Sequence, residues 1–188
     1  MVLLVTGLVL FVGIHLLPSA PGWRAAMATR WGEQRFKGLF SLVSFAGLAL
    51  IVAGYRMAEP GPRLFAPWPA AIAVAPYAIT LSFILLAAAN LRAHLRRFVQ
   101  HPMLLGLLIW ALVHLCANGD TRGTVLFGAF AAYAVVDLLS AMRRHAVKAF
   151  APTARHDAIA IAVGVALALA VMTFHRALFG VVVAPFGR

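Results

Sequence analysis

Six long apolar runs, separated by short polar stretches, constrain this chain more than any other feature: residues 2–17, 38–55, 70–91, 102–117, 123–141 and 158–179. A backbone inside hydrocarbon has no water to satisfy its N–H and C=O groups, so each run predicts a membrane helix. Several runs are shorter than the ~20 residues that cross a bilayer comfortably. Composition agrees, with 63% hydrophobic residues, 11% charged residues and a mean hydropathy of +0.94. The expected fold is therefore all-α, a bundle of about six transmembrane helices forming one domain over 1–188.

The net charge of +11 would point to nucleic acid in a water-soluble chain. Here the cations lie between apolar runs, which suits a bilayer with anionic lipids and excludes a nucleic-acid partner. Loops one, three and five carry Arg24, Arg30, Arg35, Lys37, Arg92, Arg96, Arg97, Arg143, Arg144, Lys148 and Arg155. Arg56, Arg63, Arg122, Arg176 and Arg188 fall on the other side. The bias places the first set in the cytoplasm and both termini outside. The first run has no basic flank before it and meets Pro18 where a cleavage site would need small residues, so a removed signal peptide is not expected. A single cysteine, Cys116, excludes an intramolecular disulfide and a cysteine-only metal site.

The first loop, WRAAMATRWGEQRFK, is basic and aromatic and predicts a helix in the interface. Glu33 stands among cations and is expected to pair with Arg30 or Lys37, or else to anchor the corner at His101. The second run is rich in small residues, which lets helices approach closely. Pro60, Pro62, Pro67 and Pro69 stiffen the loop after it. The third run holds Pro76, Tyr77 and Asn90, with Pro76 an early-turn proline or a kink. His94, His145 and His156 fall among basic residues and read as surface histidines. Asp137, near Arg143 and Arg144, reads first as a structural ion pair, although an acid in a membrane helix is also a functional candidate.

The densest chemistry lies in His101–Asp120, HPMLLGLLIWALVHLCANGD. Pro102 suits a first helical turn, and Asn118-Gly119-Asp120 is a stop signal. Between them Gly106, Trp110 and His114 follow at i, i+4 and i+8, so they share one face. The first run repeats the ladder as Gly7, Phe11 and His15. An inverted repeat of three spans plus three would account for the match, and so would chance in a leucine-rich background. His175 and Arg176 close the last run on the side of His114.

A histidine within a membrane needs a hydrogen bond or a metal. Taken singly, a packing histidine is the plainer reading of each. Two at matched positions, each following a glycine and an aromatic that leave room for a flat group, point instead to haem iron between two imidazoles. Depth permits it. His15 lies about 21 Å from the outer start of its helix and His114 about 20 Å from His101, leaving a gap of ~10 Å that two imidazole arms can bridge. Arg122 or Arg176 would then meet the propionates, and His175 is the reserve ligand. Zinc fits less well, because no carboxylate or cysteine joins the set.

GIHLLPS, WGEQRFKGLFSLVS, HPMLLGLLIWALVHLCANGD and FHRALFG together resemble the NnrU family of bacterial membrane proteins. The resemblance implies an inner (plasma) membrane location. It also implies a role in producing nitrite and nitric oxide reductases during denitrification. The same segments are similar to cis-zeta-carotene isomerase, a haem b enzyme whose axial histidines correspond by motif to His15 and His114. That likeness implies haem b here and, alternatively, cis–trans isomerisation of an apolar polyene. The isomerase family has a cysteine three residues before its second histidine; Ala111 stands there, which argues against ligand exchange through a thiolate. The His-Pro start is also similar to isoprenylcysteine methyltransferases, but Gln100 replaces their arginine and no acidic methyl-donor motif follows. A small-molecule transporter is the remaining alternative, and only the inverted repeat suggests it.

Overall fold

A computed structural model describes residues 1–17, 21–144 and 149–183. Pro18, Lys148 and Arg188, used in the leader and charge arguments, and His145, read as a surface histidine, lie outside the described residues. The described chain is helical, with no strand beyond an isolated antiparallel bridge between Arg63 and Asp120. Four of its helices are long and apolar enough to cross a membrane: Glu33–Met57, Pro69–Ala88, Thr121–Arg143 and Ala154–Phe179. Two shorter apolar helices, Val2–Leu16 and Pro102–Asn118, fall on the first and fourth runs. Where one domain over 1–188 is expected, contacts gather into two compact units, Met1–Gly61 and Pro62–Arg188.

In the first unit, α1 (Val2–Leu16) packs on α3 (Glu33–Met57), with α2 (Pro21–Trp31) between them in sequence. The second run begins earlier than expected, at Glu33, because Gly32 at φ 83° breaks the chain between α2 and α3. α1 and α3 are antiparallel, and glycines set their spacing. A Cβ on Gly7 would lie 2.6 Å from the Ile51 amide nitrogen, and one on Gly47 would lie 2.9 Å from that of Phe11. Gly54 is as close to the backbone of Leu4. The small residues of the second run thus do what they are expected to do. The outer faces stay apolar and bare: Val9, Leu42 and Phe45 are 67%, 65% and 73% exposed, as lipid-facing side chains would be. Glu33 takes Arg24 at 3.0 Å and Lys37 at 3.3 Å; the bend at Gly32 brings Arg24 rather than Arg30 to it.

The second unit is built around α4 (Pro69–Ala88). The short α5 (His94–Val99) leads into α6 (Pro102–Asn118), α7 (Thr121–Arg143) and α8 (Ala154–Phe179). α4 packs on both α6 and α8, and α7 packs on α6. At the α4–α6 crossing, the fully buried Ser82 donates its hydroxyl to the Gly106 carbonyl at 2.8 Å. A Cβ on Gly106 would lie 2.8 Å from the Ser82 carbonyl oxygen, and one on Gly164 of α8 would lie 2.6 Å from the Ile84 amide nitrogen. One turn of α4 is therefore clasped by glycines from two sides. α4 stops at Ala88, short of the expected 91, so Asn90 stands in the following turn. Pro76 is interior to α4, not in its first turn, which leaves the Ile72 carbonyl without its usual donor.

α5 was not legible as a helix. It ends on Gln100 at φ 63° and ψ −48°, with the His101 N–H donating to the Val99 carbonyl at 2.7 Å. This is a γ-turn of the uncommon positive-φ kind. His94, read as a solvated histidine, donates from Nδ1 to Asp157 at 2.6 Å, while the Leu95 N–H reaches the other carboxylate oxygen at 3.2 Å. The α6–α7 corner follows its sequence signals: Pro102 opens α6, Gly119 closes it at φ 77°, and Asp120 caps α7 by accepting from the Gly123 N–H at 2.6 Å. The proline-rich loop docks on this corner, with Leu64 N–H donating to Gly119 O at 2.8 Å and Trp68 N–H to Cys116 O at 2.9 Å.

Candidate functional site

His15 lies in the last turn of α1, half-buried. Its Nδ1 is 2.7 Å from the Phe11 carbonyl oxygen. A carbonyl only accepts, so Nδ1 carries the proton in this contact. The ring lies 4.1 Å from that of Phe11, 28° from parallel, and Phe40 of α3 meets it edge-on at 5.2 Å.

His114 repeats this arrangement one turn before the end of α6. Its Nδ1 donates to the Trp110 carbonyl at 2.8 Å, and the two rings are 5.1 Å apart. Phe127 of α7 covers the imidazole at 4.7 Å, 26° from parallel. Trp110 is in turn wedged edge-on against Phe127 at 5.1 Å and Phe130 at 5.4 Å. The Asn118 amide donates to the carbonyl of His114 at 2.6 Å and fixes the turn below it. Both ladders thus place an imidazole with Nδ1 tied to its own helix and Nε2 directed away from it. A hydrogen bond of this kind, made by the far ring nitrogen, is what orients metal-ligating histidines.

The glycines of the ladders have a different job from the one expected. The bare face of Gly7 is filled by α3 and that of Gly106 by α4, so neither leaves room for a flat group. Along a helix, i, i+4 and i+8 share a stripe, but the stripe turns by about 80° over those eight residues, enough for its two ends to meet different neighbours. Of the ladder residues, the aromatic and the histidine remain together at each site. Sequence reasoning did not find Phe40, Phe127, Phe130 or Phe179. The one available signal was the i, i+3 spacing of Phe127 and Phe130, which puts both on one face of α7.

His175 stands in the last turns of α8, and Gly180 reverses the chain just beyond it at φ 76°. The reversal brings the Val181 carbonyl back to accept from His175 Nδ1 at 2.8 Å, with Phe179 at 5.0 Å from the ring. His114 and His175 are neighbours: their ring centres are 6.5 Å apart and their planes 14° from parallel. Arg176 is exposed and Arg122 half-buried in the first turn of α7. Asp137 accepts from the Tyr133 hydroxyl at 3.4 Å and lies 3.9 Å from Arg144, the structural pairing expected of it.

Among the described residues, no group of three or more His, Cys, Asp or Glu side chains is placed to hold a bare metal ion. An imidazole against aromatic walls suits a metal that brings its own equatorial ligands, and haem iron is such a metal. The residues around His114 fit that group: an imidazole held through Nδ1, aromatic rings beside it, and arginines near the helix ends. No curated protein and no solved structure matches this chain. A family model described as "NnrU protein" matches residues 3–183, which takes in both units and both histidine ladders. The chain is a member of the NnrU family.

Proposed function

We propose that this chain is an integral membrane haem b protein whose role lies in the production of nitrite and nitric oxide reductases. His114 and His15, its counterpart by motif, are the histidines that would supply nitrogen to the iron. The observation that carries the reading is the duplicated imidazole setting. In each, Nδ1 is committed to a carbonyl four residues back, at 2.8 Å for His114 and 2.7 Å for His15. A tautomer locked in this way keeps Nε2 as the nitrogen for iron. Bound haem would supply an iron centre able to pass one electron or to act as a Lewis acid. The protein's own part is to orient the imidazoles, exclude water with Trp110, Phe127 and Phe130, and meet the propionates with Arg122 or Arg176.

The same reading takes all six apolar runs as spans, with both termini outside the inner membrane. α2 then lies in the cytoplasmic interface against anionic lipid. Exposed Trp23 and Trp31, at 64% and 40%, together with Arg24 and Arg30 on the same short helix, support that placement. An absorption spectrum of the purified, haem-replete protein tests the proposal. A Soret band with a six-coordinate, low-spin signature is expected, and His114→Ala should lose the haem or make it five-coordinate. Folded protein without a Soret band, from cells well supplied with haem, would remove the proposal altogether.

A further inference from the structure

Two crossings on α4 put His114 and His175 at one level. α6 meets α4 where Gly106 faces Ser82, and α8 meets it where Gly164 faces Ile84. Both α6 and α8 run antiparallel to α4. At 1.5 Å per residue, His114 is about 12 Å beyond its crossing and His175 about 16 Å beyond its own. The second crossing starts about 3 Å further back along α4, so the two histidines end within about 2 Å of the same level. The rings confirm the register, with centres 6.5 Å apart and planes 14° from parallel.

That spacing is at the wide end of what ring-to-ring contact needs. It matches two imidazoles on opposite sides of one metal. Metal–nitrogen bonds of about 2 Å, plus about 1 Å from each nitrogen to its ring centre, put the centres roughly 6–6.5 Å apart. Neither ring is loose. His114 is held by the Trp110 carbonyl and covered by Phe127; His175 is held by the Val181 carbonyl and flanked by Phe179. In both, the proton is on Nδ1 and the lone pair on Nε2.

We infer that His175 is a second nitrogen donor to the iron held by His114. The inference rests on the haem reading above and adds a third imidazole that belongs to the same compact unit as His114. Its consequence is specific: losing His15 leaves the iron six-coordinate.

The test uses the full-length protein, purified in detergent and checked for a single size-exclusion peak. It compares wild type, His15→Ala, His15→Phe, His175→Ala and the His15→Ala, His175→Ala double variant by absorption and electron paramagnetic resonance. His15→Phe guards against a packing defect, since an aromatic side chain can still meet Phe11 and Phe40. The expected result is a low-spin, bis-nitrogen signal in both single His15 variants, with shifted g values, and a five-coordinate, high-spin signal in the double variant. High-spin haem in folded His15→Ala and His15→Phe would overturn the role of His175 while leaving the haem reading intact. So would a low-spin signal that survives in the double variant. Wild-type protein with no haem at all would defeat both.

Discussion

At φ 77°, Gly119 ends α6 in a left-handed conformation, and its missing Cβ leaves room for the Phe65 carbonyl. Two costs meet in Gly119→Ala. The left-handed backbone alone costs about 1–2 kcal/mol in an L residue. The clash also pushes the proline-rich loop off the corner that supports His114. A clear loss of thermal stability in detergent is expected, and an unchanged melting temperature would show that the corner gives way freely. Trp110→Ala removes a ring wedged between Phe127 and Phe130, for which about 3 kcal/mol is a fair scale. It should also weaken haem retention without taking away a ligand, which haem transfer to an acceptor globin would read. The contacts of Asp137 to Tyr133 and Arg144 are long, at 3.4 Å and 3.9 Å. Asp137→Asn should therefore cost about 1 kcal/mol or less and leave any haem spectrum alone. Loss of haem from folded Asp137→Asn protein would make this acid functional after all.

Between helices, glycines decide what touches what. Lipid is as apolar as leucine, so helices in a bilayer gain from close backbone approach rather than from hiding apolar surface. Gly54 on α3 and Gly164 on α8 each face the backbone of a partner helix. Gly54→Leu should separate α1 from α3, and Gly164→Leu should separate α8 from α4, each at an overpacking cost of about 1–3 kcal/mol. The two differ in what else they disturb. Gly164→Leu should also shift the His175 ring relative to His114, whereas Gly54→Leu should not. A change of haem spin state confined to Gly164→Leu is the expected outcome in the His15→Ala background. Gly13 and Gly128 meet nothing within 4 Å, so Ala at either is the neutral control.

For the whole molecule, topology is the sharpest question. Six spans with cytoplasmic basic loops put both ends of the chain outside. Reporter fusions after the last helix, or labelling of cysteines placed in the loops, should find the C-terminal end outside and the 92–101 and 144–153 loops in the cytoplasm. A cytoplasmic C-terminal end would mean that one of the two short helices, α1 or α6, does not cross. Those two are about 22 and 25 Å long at 1.5 Å per residue, less than the ~30 Å core, and they carry His15 and His114. If both cross, thinning of the bilayer or snorkelling at their ends must make up the difference.

What the sequence determined by itself is whatever depends on a few neighbouring residues and the solvent. Apolar runs of helical length mark the six apolar helices because lipid forces the backbone to bond within each segment. Pro102, Asn118, Gly119 and Asp120 fix the ends of α6 and α7 because capping is local chemistry. The aromatic-then-histidine spacing was legible too, since it lies within one turn of one helix, but the bond from each imidazole to the carbonyl four residues back was not. What only the tertiary structure decided is every relation that depends on which helix lies beside which. Gly7 and Gly106 turn out to face helices rather than a flat ligand, and Glu33 finds Arg24 because the chain bends at Gly32. His94 finds Asp157 across 63 residues, and His175 comes to rest 6.5 Å from His114. Periodicity gives the face a residue occupies, but the partner of that face is set by where the glycine crossings on α4 fall, and no local pattern encodes that choice.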